Sequence, residues 1–373
     1  MSLETYTQPF SEAIETTARQ SLATHDVLEP LGNWQPDVAD NGGLVLTHKT
    51  SNRQYRLTNT ALNQLCIKSK IPQTIPKFLA PQLNAKGETI FERDSRDTQL
   101  VVDILRHHIF NSDRYDQDKP YLVRTNNDDN TIRAFLSEKY AIVNNVWFLE
   151  KLQEYIGDTE VLAARWRGDA DTIYGELIFP NTRQEYDDSV YYAGLAVGNS
   201  EIGTRRAVLD SFIFREVCTN GLTSKSSSAN RQSWVHLGSP KLDEIEEWIA
   251  TVVAMGNDNA VQTIQEMQKM REIGIDKEDM AGVFVQLMQK LKIANREQSK
   301  IWQFLDEERG VIGDNAASVF GIHSALTRYA QTLDNSDWVK MEETSSKLLA
   351  YDSDKIKKMS VNASKIDIEH LVA

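Results

Sequence analysis

From Lys241 onward the apolar residues of this 373-residue chain recur at helical spacing almost without a break, whereas residues 121–222 alternate as strands do. That single change of period predicts an α+β protein: a curved antiparallel sheet with packed helices, followed by an all-helical C-terminal region. Residues 223–240, rich in Ser and Asn and closing on Gly238-Ser239-Pro240, read as a mobile linker between the two. The length suits two or three structural units. The expected division is an N-terminal α+β region (1–120), a central sheet core (121–222), the linker, a helical region (241–350) and a polar tail (351–373) that is partly disordered.

Local signals fill in this outline. Thr58 caps a helix over 58–69 whose Ala61, Leu62, Leu65 and Cys66 share a face, and Ile71-Pro72 ends it. Residues 44–48 and 55–57 pair as a hairpin, and 97–110 form an amphipathic helix. Strands are expected at 121–124, 131–136, 161–166, 172–179, 191–197 and 208–217, with a helix at 146–155. Beyond the linker, helices are expected at 242–255, 259–273, 277–292, 297–305, 316–332 and 338–349.

Composition narrows the function. Hydrophobic residues at 40% and charged residues at 25% are globular values, so the chain needs neither disulfide nor metal to build a core. Cys66 and Cys218 lie too far apart in sequence for a paired motif and read as buried hydrophobes in a reducing compartment. Residues 1–20 contain no apolar run for a signal peptide, and no stretch reaches the roughly 20 apolar residues of a membrane span, so the expected location is cytoplasmic. A net charge of −13 argues against coating of duplex DNA by the whole surface and leaves room for a local basic groove.

Residues 193–222 (AGLAVGNSEIGTRRAVLDSFIFREVCTNGL) hold the most pointed pattern. Gly198-Asn199-Ser200 turns the backbone at a strand end, and Gly203 repeats that freedom, so amides near 200–205 can form an anion nest beside Arg205 and Arg206. An apolar strand with Arg215 near its end follows, closed by Cys218-Thr219-Asn220-Gly221. Asn-Ser-Glu-x-Gly followed by Arg-x-Val-Cys-Thr-Asn-Gly-Leu resembles the phage/plasmid-like family catalogued as domain of unknown function 932. Tyr55-Arg56-Leu57-Thr58 with Ile71-Pro72, and Ser137-Glu138-Lys139-Tyr140 with Val143 and Asn144, fit the same resemblance, which spans about residues 40–225. It implies a mobile-element setting and an α+β core. By fold-level analogy such chains are similar to phage single-strand annealing recombinases of the Red-beta and Erf type.

Candidate nucleic-acid-binding residues are Arg165, Trp166, Arg167, Asn199, Ser200, Arg205, Arg206 and Arg215, with Lys225 and Arg231 in the linker. An aromatic between arginines can stack a base while its neighbours hold phosphates. On a regular strand, however, Arg165 and Arg167 share one face and Trp166 the other, which equally suits a core tryptophan and a solvated basic face. Tyr140, Tyr191, Tyr192, Trp234 and His236 divide in the same way between stacking and packing. No catalytic motif is present, and no cofactor or metal is expected. His107-His108 point apart on a helix, and His323 sits in an apolar helical stretch. Asp169/Asp171 and Asp187/Asp188 are the carboxylates a metal-dependent nuclease would use.

The leading expectation is therefore a non-enzymatic single-stranded DNA-binding and annealing protein of a phage or plasmid recombination system. It is expected to act as a homo-oligomer, with the Met-rich helical region as core, subunit interface or docking surface for a phage or host protein. Alternatives are a structural or interaction protein of a mobile element, for assembly or host-defence modulation, and a metal-dependent nuclease.

Overall fold

The computed structural model describes residues 7–75, 82–83, 89–91, 95–111, 118–186, 189–216, 222–225, 232–236, 242–333 and 335–372. Along the N-terminal part lie β1 (Thr7–Pro9), α1 (Phe10–Ser21), β2 (Thr24–Pro30), β3 (Trp34–Val38), β4 (Leu44–His48), β5 (Gln54–Leu57) and α2 (Asn59–Lys68). A short hairpin, β6 (Gln82–Leu83) and β7 (Thr89–Phe91), precedes α3 (Ser95–Arg106), β8 (Pro120–Asn126) and β9 (Thr131–Ser137). The Thr58 hydroxyl caps α2 by accepting from the Ala61 amide at 3.1 Å, as the sequence predicts. The amphipathic faces of α2 and α3 bury Leu62, Leu65, Val101 and Leu105 against Leu46, Tyr55, Val123 and Phe135 of the strands.

These strands form a six-stranded sheet ordered β2-β8-β9-β5-β4-β3, antiparallel except where β5 runs parallel to β9. β8 and β9, read from sequence as the start of the central core, thus belong with the N-terminal strands. Conversely β1 pairs with a strand of the central unit, Thr7 opposite Ala164. The two units interleave rather than meeting near residue 120.

The central unit continues with α4 (Asn145–Ile156), β10 (Leu162–Gly168), β11 (Thr172–Ile178), β12 (Gln184–Tyr186), β13 (Ser189–Ser200), β14 (Ala207–Glu216), β15 (Leu222–Lys225) and β16 (Gln232–Trp234). They build an antiparallel eight-stranded sheet, β1-β10-β11-β13-β14-β15, with β12 beside β13 and β16 beside β14. Alternation works as the sequence implies. Ile173, Leu177, Leu195, Val197 and Leu209 enter one core with α1 and α4, while Ile178, Tyr192, Ala196, Phe212 and Phe214 form a smaller cluster on the opposite side.

The C-terminal part is helical: α5 (Leu242–Glu272), α6 (Met280–Lys290), α7 (Asn295–Ile312), α8 (Val319–Gln331), α9 (Asn335–Ser345), α10 (Ser353–Ser360) and α11 (Glu369–Val372). Helices expected at 242–255 and 259–273 are one continuous element. Its Ile245, Ile249 and Val252 pack on the central sheet, and Met267 and Met270 enter the helical core. The expected polar tail is built into that core through Ile356, Met359, Ala363 and Leu371. Among the described residues no helix is long and apolar enough to cross a membrane.

Candidate nucleic-acid interface

The turn between β13 and β14 is where the two sheets meet, and Glu201 is its anchor. The residue is 2% exposed, yet carries a carboxylate. Burial of such a charge is tolerable only with partners, and Glu201 has several. Oε2 lies 3.3 Å from Arg124 Nη2 and 3.0 Å from Arg133 Nη2, and Oε1 accepts from the Asn145 amide at 2.8 Å. Arg124 also reaches Asp26 of β2 at 2.8 Å and Asn144 at 2.8 Å. Arg133 of β9 reaches Asp171 at 2.5 Å. Burial works against the Arg133 charge, but Asp171 and Glu201 hold the guanidinium cationic. Burial pushes the Asp171 carboxyl up against the pull of Arg133.

This arrangement decides the fate of the expected anion nest. Asn199 is fully buried and donates to Val143 O and Asn145 Oδ1, both at 2.9 Å. The Ser200 hydroxyl, also buried, accepts from the Ile202 and Thr204 amides. The Glu201, Ile202 and Thr204 amides, which were to help hold a phosphate, are thus occupied from within, and both side chains act as internal struts. Gly203 does adopt positive φ (+74°), and a Cβ there would lie 2.9 Å from Leu136.

The arginines separate in the same way. β10 carries a bulge between Ala164 and Arg167, and Arg165 sits at φ +49°, so strict alternation fails. Arg165 turns inward to Glu176 at 3.4 Å and Glu342 of α9 at 3.1 Å. Trp166 packs edge-on to Phe10, with Gly175 leaving room for its ring. Arg215, 3% exposed, lies over Phe320 of α8. Tyr191 and Tyr192 are buried, and Trp234 packs against Trp248. Lys225 lies in β15 with its side chain outside the described residues, as are Arg231, Cys218, Asp187 and Asp188.

Arg167, Arg205 and Arg206 remain at the surface, and they border two adjoining cavities. The first, about 400 Å³, lies between α2, the end of β9 and the turn; Ile67, Leu136, Tyr140, Val235 and His236 line it, with Lys68, Arg205 and Arg206. The second, about 350 Å³, is lined by Trp166, Arg167, Asp169, Thr172, Tyr174 and again Arg205. Arg205, held 5.7 Å from the Tyr174 ring, joins them. Among the described residues Lys68, Arg205 and Arg206 have no carboxylate partner. Burial and the neighbouring Lys119 lower the Lys68 ammonium below the usual lysine range. Positive charge therefore accumulates uncompensated here, on a chain whose net charge is −13.

Sequence reasoning missed Lys68 and Lys119. A signal for the first was readable: with Ala61, Leu62, Leu65 and Cys66 inside, Ile67-Lys68 points outward, and Ile67 is 55% exposed. The nuclease carboxylates fare poorly. Asp169 accepts from the Asp171 and Thr172 amides in its own turn, and Asp171 is held by Arg133. Among the described residues no group of three or more His, Cys, Asp or Glu is suited to a metal ion. His107 and His108 have rings 86° apart, and His108 contacts Ser69 O.

No protein-family model, curated protein or solved structure matches the chain. The resemblance of residues 193–222 to the phage/plasmid-like family rests on their motifs alone.

Proposed function

We propose that this chain is a non-enzymatic single-stranded DNA-binding and annealing protein of a phage or plasmid recombination system, working as an oligomer. The observation that carries the reading is the run of uncompensated cations, Lys68, Arg205 and Arg206, around an aromatic-walled cavity that continues past Arg205 toward Trp166, Arg167 and Tyr174. Sequence-tolerant binding of single strands needs this pairing of backbone neutralisation with ring faces for bases. The acidic remainder of the surface keeps contact local, as suits a protein that holds a strand for pairing rather than coating a duplex. Annealing on such a track consumes no cofactor: neutralised phosphates lower the repulsion between complementary strands. Of the Met stripe, Met267, Met270, Met280 and Met288 are buried in the helical core and Met255 is exposed, so assembly is assigned to the outer surface of that region.

The test is the salt dependence of binding to single- and double-stranded DNA, with an annealing assay on complementary oligonucleotides. Arg205→Ala/Arg206→Ala is expected to weaken single-strand binding and to reduce the log–log salt slope by about 0.7 per lost phosphate contact. Absence of single-strand binding at low salt overturns the reading, and Mg²⁺-dependent cleavage of the probe replaces it with the nuclease.

A further inference from the structure

The larger cavity has a chemistry that phosphate binding alone does not explain. Its walls are mainly apolar, with Ile67, Leu136 and Val235 beside the parallel rings of Tyr140 and His236, whose centroids are 5.1 Å apart and planes 10° apart. Two polar side chains that could serve a ligand are already spent. The Tyr140 hydroxyl donates to Ser200 O at 2.8 Å. Gln64 donates to Ile202 O and accepts from the Phe135 amide. Both contacts hold the wall in place.

His236 differs. It is 4% exposed, and its Nδ1 lies 3.2 Å from Ala141 O, a carbonyl that can only accept, so the proton resides on Nδ1. Nε2 is then an acceptor, and it is buried with no hydrogen-bond partner among the described residues. Burial, reinforced by Arg124 against the Ala141 bond, lowers the imidazole pKa and keeps the ring neutral. A buried acceptor of this kind calls for a donor. Aliphatic or purely anionic ligands bring none to an apolar cavity, whereas a nucleobase carries exocyclic amine or ring N–H donors on a flat apolar body. The volume, about 400 Å³, lies in the range of small-ligand sites, roughly 300–1,000 Å³.

We propose that this cavity takes one unstacked nucleobase against the Tyr140–His236 wall, with a donor on the base meeting His236 Nε2 and its phosphate held by Lys68, Arg205 and Arg206. The assignment rests on the nucleic-acid reading above and adds to it that a base, not only the backbone, is bound. The same base-and-phosphate chemistry is offered by a strand or by a free nucleotide.

The full chain is titrated with a labelled mixed-sequence single strand, with a fully abasic tetrahydrofuran strand of the same length, and with AMP and inorganic phosphate. The base-bearing strand is expected to bind about tenfold more tightly than the abasic one, in line with about 1–3 kcal/mol per stacked base. In His236→Phe, which keeps a ring and removes the acceptor, that preference shrinks while the salt slope stays unchanged. Equal binding of the two strands overturns the base pocket and leaves single-strand binding standing. Binding of AMP but of neither strand keeps the pocket and overturns the strand reading. Binding of nothing overturns both.

Discussion

Glu201 shows how one side chain can fix the position of a candidate site without lining its cavities. Its carboxylate joins Arg124 and Arg133, and through them Asp26 and Asp171, so the turn bearing Arg205 and Arg206 is held against both sheets. Removing one member of a buried ionic set leaves the others unpaired, at a cost of about 3–5 kcal/mol. Glu201→Gln is accordingly expected to lower the unfolding free energy from urea titration by an amount in that range, and a value within error of the parent refutes the anchoring role. The same logic sorts the arginines. Arg165, paired with buried carboxylates, and Arg215, itself buried over Phe320, serve the fold, whereas Arg167, Arg205 and Arg206 border the cavities. Sequence contained the basic doublet and its turn, but not this sorting. The bulge at Arg165 breaks the alternation on which any strand-face argument depends.

At the scale of elements, the closing segment is the instructive case. Lys and Asp mixed along residues 354–373 read as a polar tail, yet α10 and the turn after it lie on α6, where Gly282 admits the Ala363 backbone. A Cβ at Gly282 would sit 2.3 Å from Ala363 O. Gly282→Ala is therefore expected to cost about 1–3 kcal/mol by forcing the segment away. Protease cleavage beyond residue 350 should then outpace that of the parent, and an unchanged digestion pattern would count against the packing. The charged residues misled because their apolar partners, Ile356 and Met359, are few and sparsely spaced. Strong periodic elements were legible: α2 with its Thr58 cap, α3, and the strands of the central sheet carry their own pattern. The junction of two expected helices into α5 was not, since Gly256 and the polar residues after it read as a break.

For the whole molecule, the helical region is tied to the central sheet by buried polar groups as well as apolar ones. His323 in α8 is fully buried, and burial lowers its pKa to about 4, with Glu342 opposing only in part. Above about pH 6.5 the imidazole is neutral both folded and unfolded and stability is indifferent to it. Below that, the unfolded chain gains a proton that the folded chain refuses until about pH 4, so stability falls as pH falls across the window. The full penalty is about 3 kcal/mol. Denaturant midpoints measured across this window should decline, and the decline should flatten in His323→Gln; an equal slope in the variant excludes His323 as the cause.

Taken alone, the sequence determined the fold class, the change from alternating to helical period, the helix capped by Thr58 and the presence of a basic turn after a strand. Those follow from interactions within a few residues, which local pattern records. Only the tertiary structure decided which cations face outward and that Lys68 joins Arg205 and Arg206. It alone showed that Asn199 and Ser200 are struts and that β8 and β9 belong to the N-terminal sheet. The reason is distance along the chain. Arg165 is withdrawn from the surface by Glu342, 177 residues away, and the cavity is assembled from α2, β9 and the β13–β14 turn. Burial and charge pairing are set by such remote partners, so amides of the anion nest expected near residues 200–205 became part of an internal brace, while Arg205 and Arg206 line the cavities beside it.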